Sequence, residues 1–172
     1  MALHRLPVVA GVTLLAAICA SPTRAVAPQI KDDGKFFGAD AIKKANEQIR
    51  GIARRSGLDL LIETIATLPD DQAAKVKAMS PAERGEFFAK LARARREEAV
   101  VRGIYILVCR EPPHVDVLVH MPRGGAFSPE DRQKLTSQLI HDFRDKHFDE
   151  GLAKAVKFVQ EKLTANRQFP RD

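Results

Sequence analysis

Six consecutive apolar residues, Ile104-Tyr105-Ile106-Leu107-Val108-Cys109, follow Gly103 in a chain of 172 residues. Such a run has no polar side to turn toward water. As a strand it belongs in the middle of a sheet that is covered on both faces. The short connection Arg110-Glu111-Pro112-Pro113-His114 leads to a second strand pattern, Val115 to His120. Two strands joined so closely are antiparallel neighbours. Asp116 and His120 then share the face opposite Val115, Val117 and Val119.

Covering such a sheet takes helices, and the flanking sequence supplies them. Ile42, Ala45, Ile49 and Ile52 lie three or four apart behind Asp40, which reads as an N-cap, and Ser56-Gly57 ends the pattern. Leu58 to Ile65 is apolar and β-branched, a strand. Pro69-Asp70-Asp71 reads as a loop. Ser80-Pro81-Ala82-Glu83 has the pattern of a capping box with Pro at N1, opening a helix that buries Phe87, Phe88 and Leu91. Ser128-Pro129-Glu130-Asp131 caps a helix with the face Leu135, Leu139 and Phe143. Asp149, with Phe148 before it, caps a last helix whose buried line is Leu152, Val156, Val159 and Leu163. Helices and strands in this succession predict a single α/β domain over residues 26–164, with a polar tail over 165–172.

The amino-terminal segment resembles an export signal. Arg5 precedes an apolar run from Leu6 to Ala20, shorter than the roughly 20 residues of a comfortable membrane span. Thr23-Arg24-Ala25 offers small residues where a signal peptidase reads them, placing the signal at residues 1–25 and Val26 first in the mature chain. Retention of the segment as an anchor is the rival reading. Cys19 follows Ile18, a poor match to the small residue of a lipobox. Cleavage removes Arg5 and Arg24 and no acid, lowering the net charge of +6 by two. That mild charge does not describe a nucleic-acid binder, whose basic residues gather on one face among aromatics. The densest cluster, Lys90 to Arg96, runs straight into Glu97-Glu98 and reads as a solvated helix face. Cys109 is the single cysteine of the mature chain, so no internal disulfide forms there. About 145 residues suffice for a core without such staples.

The chain has no phosphate-cradling glycine loop, no Cys-x-x-Cys and no Gly-x-Ser-x-Gly elbow. His114, His120, His141 and His147 lack metal-ligand spacing. A Cys109–His120 pair on neighbouring strands is conceivable as a nucleophile, against a filled core edge. The acids are the better lead. Asp32-Asp33 precedes the first helix and Asp149-Glu150 opens the last. Carboxylates gathered in a loop layer hold a hard cation, Ca2+ or Mg2+, which polarises a phosphoryl group. Equally, Asp149 is explained as a cap and Asp33-Gly34 as a turn.

Ile30-x-Asp32-x-Gly34 with Phe36-Phe37, the strand from Leu58 to Thr64, and Phe148-Asp149-Glu150-Gly151-Leu152 resemble the TPM domain family. They are similar to its V-x-D-x-A-x-x-L opening, its first long strand and its Y-D-x-G-L motif. That family includes a thylakoid photosystem II repair protein with acid phosphatase activity and many bacterial envelope proteins. The resemblance implies a three-layer α/β/α sandwich around a small mixed sheet. It also implies an acidic cleft, with Asp32, Asp33 and Asp149 as its metal ligands in this chain. Two departures stand out. Val101-Arg102-Gly103 replaces Asp-Asn-Gly, and Met121-Pro122-Arg123-Gly124-Gly125 replaces Gly-Tyr-Gly-Leu-Glu. Two cleft acids are thus missing, and Arg102 and Arg123 are expected near the cleft as anion or partner-binding groups. The resulting expectation is an exported, non-catalytic module that binds envelope or membrane proteins, with peripheral contact to a membrane and none to nucleic acid. A divalent-metal-assisted phosphatase is the alternative.

Amino-terminal sequencing of the protein recovered from its native cell is expected to begin at or near Val26. Intact Met1 in the membrane fraction would establish the anchor instead.

Overall fold

The computed structural model describes residues 27–121 and 126–165. Its elements in chain order are β1 (Lys31–Asp32), α1 (Ala39–Ser56), β2 (Asp59–Thr67), α2 (Asp70–Ala78), α3 (Pro81–Glu98), β3 (Gly103–Glu111), β4 (His114–Val119), α4 (Pro129–Arg144) and α5 (Phe148–Ala165). The sheet order is β1-β2-β3-β4. The first three strands are parallel and β4 is antiparallel. β3 is therefore interior, as its unbroken apolar run requires, and six of its residues from Ile104 to Cys109 are buried.

Alternation along the strands divides the core in two. Leu60, Ile62, Ile104, Ile106, Val108 and Val117 face Ala45, Ile49 and Ile52 of α1, Leu135 and Leu139 of α4, and the Leu152, Val156, Val159 and Leu163 line of α5. Leu61, Ile65, Tyr105, Leu107 and Cys109 face Val76 of α2 and Phe88 and Ala92 of α3. The molecule is an α/β/α sandwich around a small mixed sheet. β1 reaches β2 through α1 on one face, and β2 reaches β3 through α2 and α3 on the other. Two parallel crossovers that step the same way across a sheet on opposite faces have opposite hands, so one of them is the rare left-handed kind.

Local chemistry accounts for the ends. Ser80 and Ser128 both complete capping boxes, with Glu83 and Asp131. Gly57, at φ 70°, closes α1. Gly103 lies at φ 148°, and a Cβ there would overlap the Asp59 carbonyl of the neighbouring strand. The Asp-Glu-Gly-Leu motif also has a packing reason. A Cβ on Gly151 would come within 2.9 Å of the Asp142 Cβ and the Phe143 ring, so glycine lets α5 approach α4. Lys154 pairs with Asp142 at 3.1 Å and Lys162 with Asp131 at 2.7 Å, tying the same two helices at both ends.

Four expectations are corrected. The N-cap of α1 is Gly38 rather than Asp40, which lies in the first turn and still faces the positive end of the helix dipole. Asp149 is likewise inside the first turn of α5, which begins at Phe148. Pro69-Asp70-Asp71 opens a short helix rather than a loop. Pro69 is its N-cap, the two acids sit at its positive end, and Val76 anchors it. Phe87 and Leu91 are only partly buried, while Phe88 and Ala92 point fully inward. No helix among the described residues is long and apolar enough to cross a membrane. The expected signal segment, Arg123, Gly124-Gly125 and all but the first residue of the tail lie outside the described residues.

Leu139 and Leu152 are 2% and 1% exposed in the same core. Each substitution to alanine is expected to cost roughly 2–5 kcal/mol in denaturant titrations. Losses under about 0.5 kcal/mol at both would contradict this packing.

Candidate functional site

The carboxyl end of the parallel strands gathers most of the residues singled out above. β1 pairs Asp32 with Thr64 of β2, and the chain turns sharply after it. The Asp32 carboxylate governs that turn. Its Oδ1 accepts from the Phe36 amide at 3.0 Å and from the Thr64 hydroxyl at 2.6 Å, and its Oδ2 accepts from the Phe37 amide at 3.0 Å. The next amide, Gly38, donates to Asp149 Oδ1 at 2.8 Å. Two carboxylates from opposite ends of the sequence thus hold three successive N–H groups and seat the strap that leads into α1.

The fold does bring Asp32 and Asp149 to one strap, with Asp33 exposed beside them. Both Asp32 oxygens are engaged by hydrogen-bond donors, and one oxygen of Asp149 is. Among the described residues, no three histidine, cysteine or acidic side chains are grouped to hold a metal ion.

The strap turns Phe36 and Phe37 inward. Phe36 meets Phe148 edge-on at 5.1 Å between centroids, and Phe143 lies 6.0 Å from both Phe36 and Phe37. Arg110, at the end of β3, donates to the Gly34 and Lys35 carbonyls at 2.8 and 3.0 Å and lies 4.5 Å over the Phe36 ring. Beside this cluster is a concavity of about 560 Å3. Phe36, Phe143 and Phe148 give it an aromatic wall, and Ile140, 40% exposed, is part of its lining. Arg110, Arg144 and Lys146 add three cations.

Cys109 and His114 also border the groove, and they are partners across the β3–β4 ladder. The conceivable Cys109–His120 pair is overturned by this register, which leaves His120 beyond the far end of β4, where its amide bonds Gly103. Burial pushes the Cys109 thiol up to about 11, so it stays protonated and unreactive at neutral pH. His114 stacks on Phe88 at 4.0 Å. Burial lowers its pKa, opposed by nearby Asp116 and assisted by Arg84. Burial raises that of Asp116, opposed chiefly by His114 and Arg132.

Arg102 is not at this end. It lies at the amino end of β3, where its amide donates to Asp59 Oδ2 at 3.0 Å. The length of β2, about 26 Å at ~3.3 Å per residue, separates that end from this one. The expectation that Arg102 flanks the acidic cleft is corrected accordingly. Val101 is 2% exposed and packs into the core on the α3 side.

One polar constellation escaped the sequence reading. Glu63, 4% exposed in mid-sheet, accepts from the Tyr105 hydroxyl at 2.7 Å and from the Arg95 guanidinium. Burial, and then the bond to Glu63, raises the Tyr105 pKa. The signal was present as a glutamate inside an apolar strand. Its partner lies in the Lys90–Arg96 cluster, whose pattern is that of a solvated face but from which Arg95 turns toward Glu63. This triad, buried at Glu63 and Tyr105 and partly exposed at Arg95, ties α3 to the sheet.

No family model and no curated protein matches the chain. Among solved structures, it is similar to the N-terminal domain of a protein from P. gingivalis, determined by solution NMR, at 20% identity and a TM-score of 0.58. The match covers 83% of this chain and 86% of that one, and it shows the fold.

A lowered histidine pKa means that the unfolded chain binds more protons just below the usual value of 6.5. His114 therefore contributes to stability above that pH, and the contribution shrinks as pH falls from it. His114→Phe, which keeps a ring against Phe88, is expected to flatten the stability profile between about pH 7 and 5. An unchanged slope would remove His114 from the account.

Proposed function

We propose that the chain is a divergent, TPM-like exported domain. It acts as a non-catalytic module that binds envelope or membrane proteins through the groove at the carboxyl end of its sheet. The observation that carries this reading is the groove's composition, an aromatic wall with Ile140 nearby and with Arg110, Arg144 and Lys146 around it. Open α/β sheets bind ligands outside the carboxyl ends of their strands. An apolar side chain beside an acidic group is the complement of these walls. The commitment of Asp32 to backbone amides and Thr64 points the same way. That carboxylate shapes the strap, which leaves few lone pairs for a cation.

The phosphatase alternative draws on the family resemblance and on exposed Asp33. It requires a cation held in fixed geometry next to a phosphoryl group.

An aryl-phosphate assay with added calcium, magnesium or manganese is expected to stay at the blank rate. Turnover that is abolished in Asp33→Asn or Asp149→Asn would promote the phosphatase. A photo-crosslinking residue at position 140, introduced in the native cell, is expected to trap a discrete envelope protein, while one at Glu161 does not. Identical patterns from both positions would reject the groove as the binding face.

A further inference from the structure

The amino end of the parallel strands carries a second surface, distinct from the groove in position and chemistry. Helix α3 ends at Glu98, and Val100 follows at φ 53°. The Val100 amide bonds the Glu97 carbonyl and the Val101 amide bonds the Arg96 carbonyl. These two bonds make a Schellman turn, in which the left-handed residue is usually glycine. A β-branched residue there is strained. Burial does not offset the strain, because Val100 is 70% exposed. A strained apolar side chain held out toward solvent points to a contact beyond the domain.

Its surroundings indicate what kind. A cleft of about 810 Å3 beside Val100 is lined by Arg50 and Arg54, one turn apart on α1, and by Arg102. The acid in that lining is Asp59, whose Oδ2 accepts from the Arg102 amide. Glu97 nearby is paired with Arg96 at 3.2 Å. Ala27 and Pro28 also line the cleft. They follow closely on the apolar run Leu6–Ala20. Seven residues reach at most about 25 Å, so the run, where it is retained as an anchor, would hold this end of the domain close to the bilayer.

We propose that this end rests on an anionic lipid bilayer. Val100 enters the headgroup layer, and Arg50, Arg54 and Arg102 lie against lipid phosphates. An exposed apolar residue ringed by cations is the pattern of interfacial binding, in which apolar insertion and attraction to anionic lipid act together. The groove at the other end is then held away from the membrane, open to a partner. The proposal does not depend on what the groove binds.

The test uses the chain from Val26, since both halves of the core are built from residues 30–163. Co-sedimentation with phosphatidylglycerol vesicles is expected, with little on phosphatidylcholine. The Arg54→Glu/Arg102→Glu double variant is expected to lower partitioning by at least about 25-fold, roughly fivefold for each lost charge. Lys43→Glu/Lys44→Glu makes the same charge change near the opposite end of α1 and should lose much less. Val100→Gly suits the left-handed turn, so its melting temperature should hold or rise while partitioning falls about fivefold. Excess glycerol phosphate should not displace the protein. Absent or lipid-indifferent binding, equal losses in the two charge-reversal pairs, unchanged binding of Val100→Gly, or displacement by glycerol phosphate would overturn the proposal.

Discussion

A parallel pair of strands with no wet face organises this molecule. β2 and β3 run side by side from Asp59 opposite Gly103 to Thr67 opposite Glu111, and nearly every side chain between is buried. Apolar surface of that kind is stable only when covered on both sides, which is why there are three layers and not two. Gly103 sets how closely the two strands begin, because any side chain there would collide with Asp59. Inside this ladder sits Glu63, a charge that would be costly alone. Tyr105 and Arg95 complete its hydrogen bonds, so the one ionic group in mid-sheet also fixes how α3 lies across it.

The second organising device is the strap between β1 and α1. A two-residue strand cannot hold itself in place by its ladder bonds. Asp32 supplies the missing order by binding Phe36, Phe37 and Thr64, and Asp149 continues the series at Gly38. Chain segments more than a hundred residues apart are joined by these carboxylates. The aromatic cluster of Phe36, Phe37, Phe143 and Phe148 then fills the space beneath the strap. The same residues that resemble a cation site are thereby given a structural task. That dual reading explains why motif and chemistry need not travel together.

The molecule is polar in the geometric sense. One end of the sheet carries an aromatic groove edged by cations, and the other carries Val100 among arginines. Both ends present cations beside apolar side chains, in different arrangements. The groove presents an aromatic wall, whereas the opposite end presents a largely exposed valine beside a cleft lined by arginines.

Much of this was legible in the chain itself. The run from Ile104 to Cys109 required an interior strand, and the capping boxes at Ser80 and Ser128 set two helix starts, because these depend on neighbouring residues alone. The helix faces through Ile49, Leu139 and Leu152 followed from periodicity for the same reason. Groups whose partners lie far away in sequence were not legible. Asp40 looked like a cap until Asp149 bound the Gly38 amide instead. Arg95 looked solvated until α3 turned it toward Glu63. Arg102 looked close to Asp32, yet the direction of β3 carries it to the opposite end. Local propensity is written in short spacings, so the sequence alone determined most of the elements and their buried faces, though not α2 or the inward turn of Ala92 on α3. Which carboxylate meets which amide depends on how whole strands and helices are placed, and only the tertiary structure decided that.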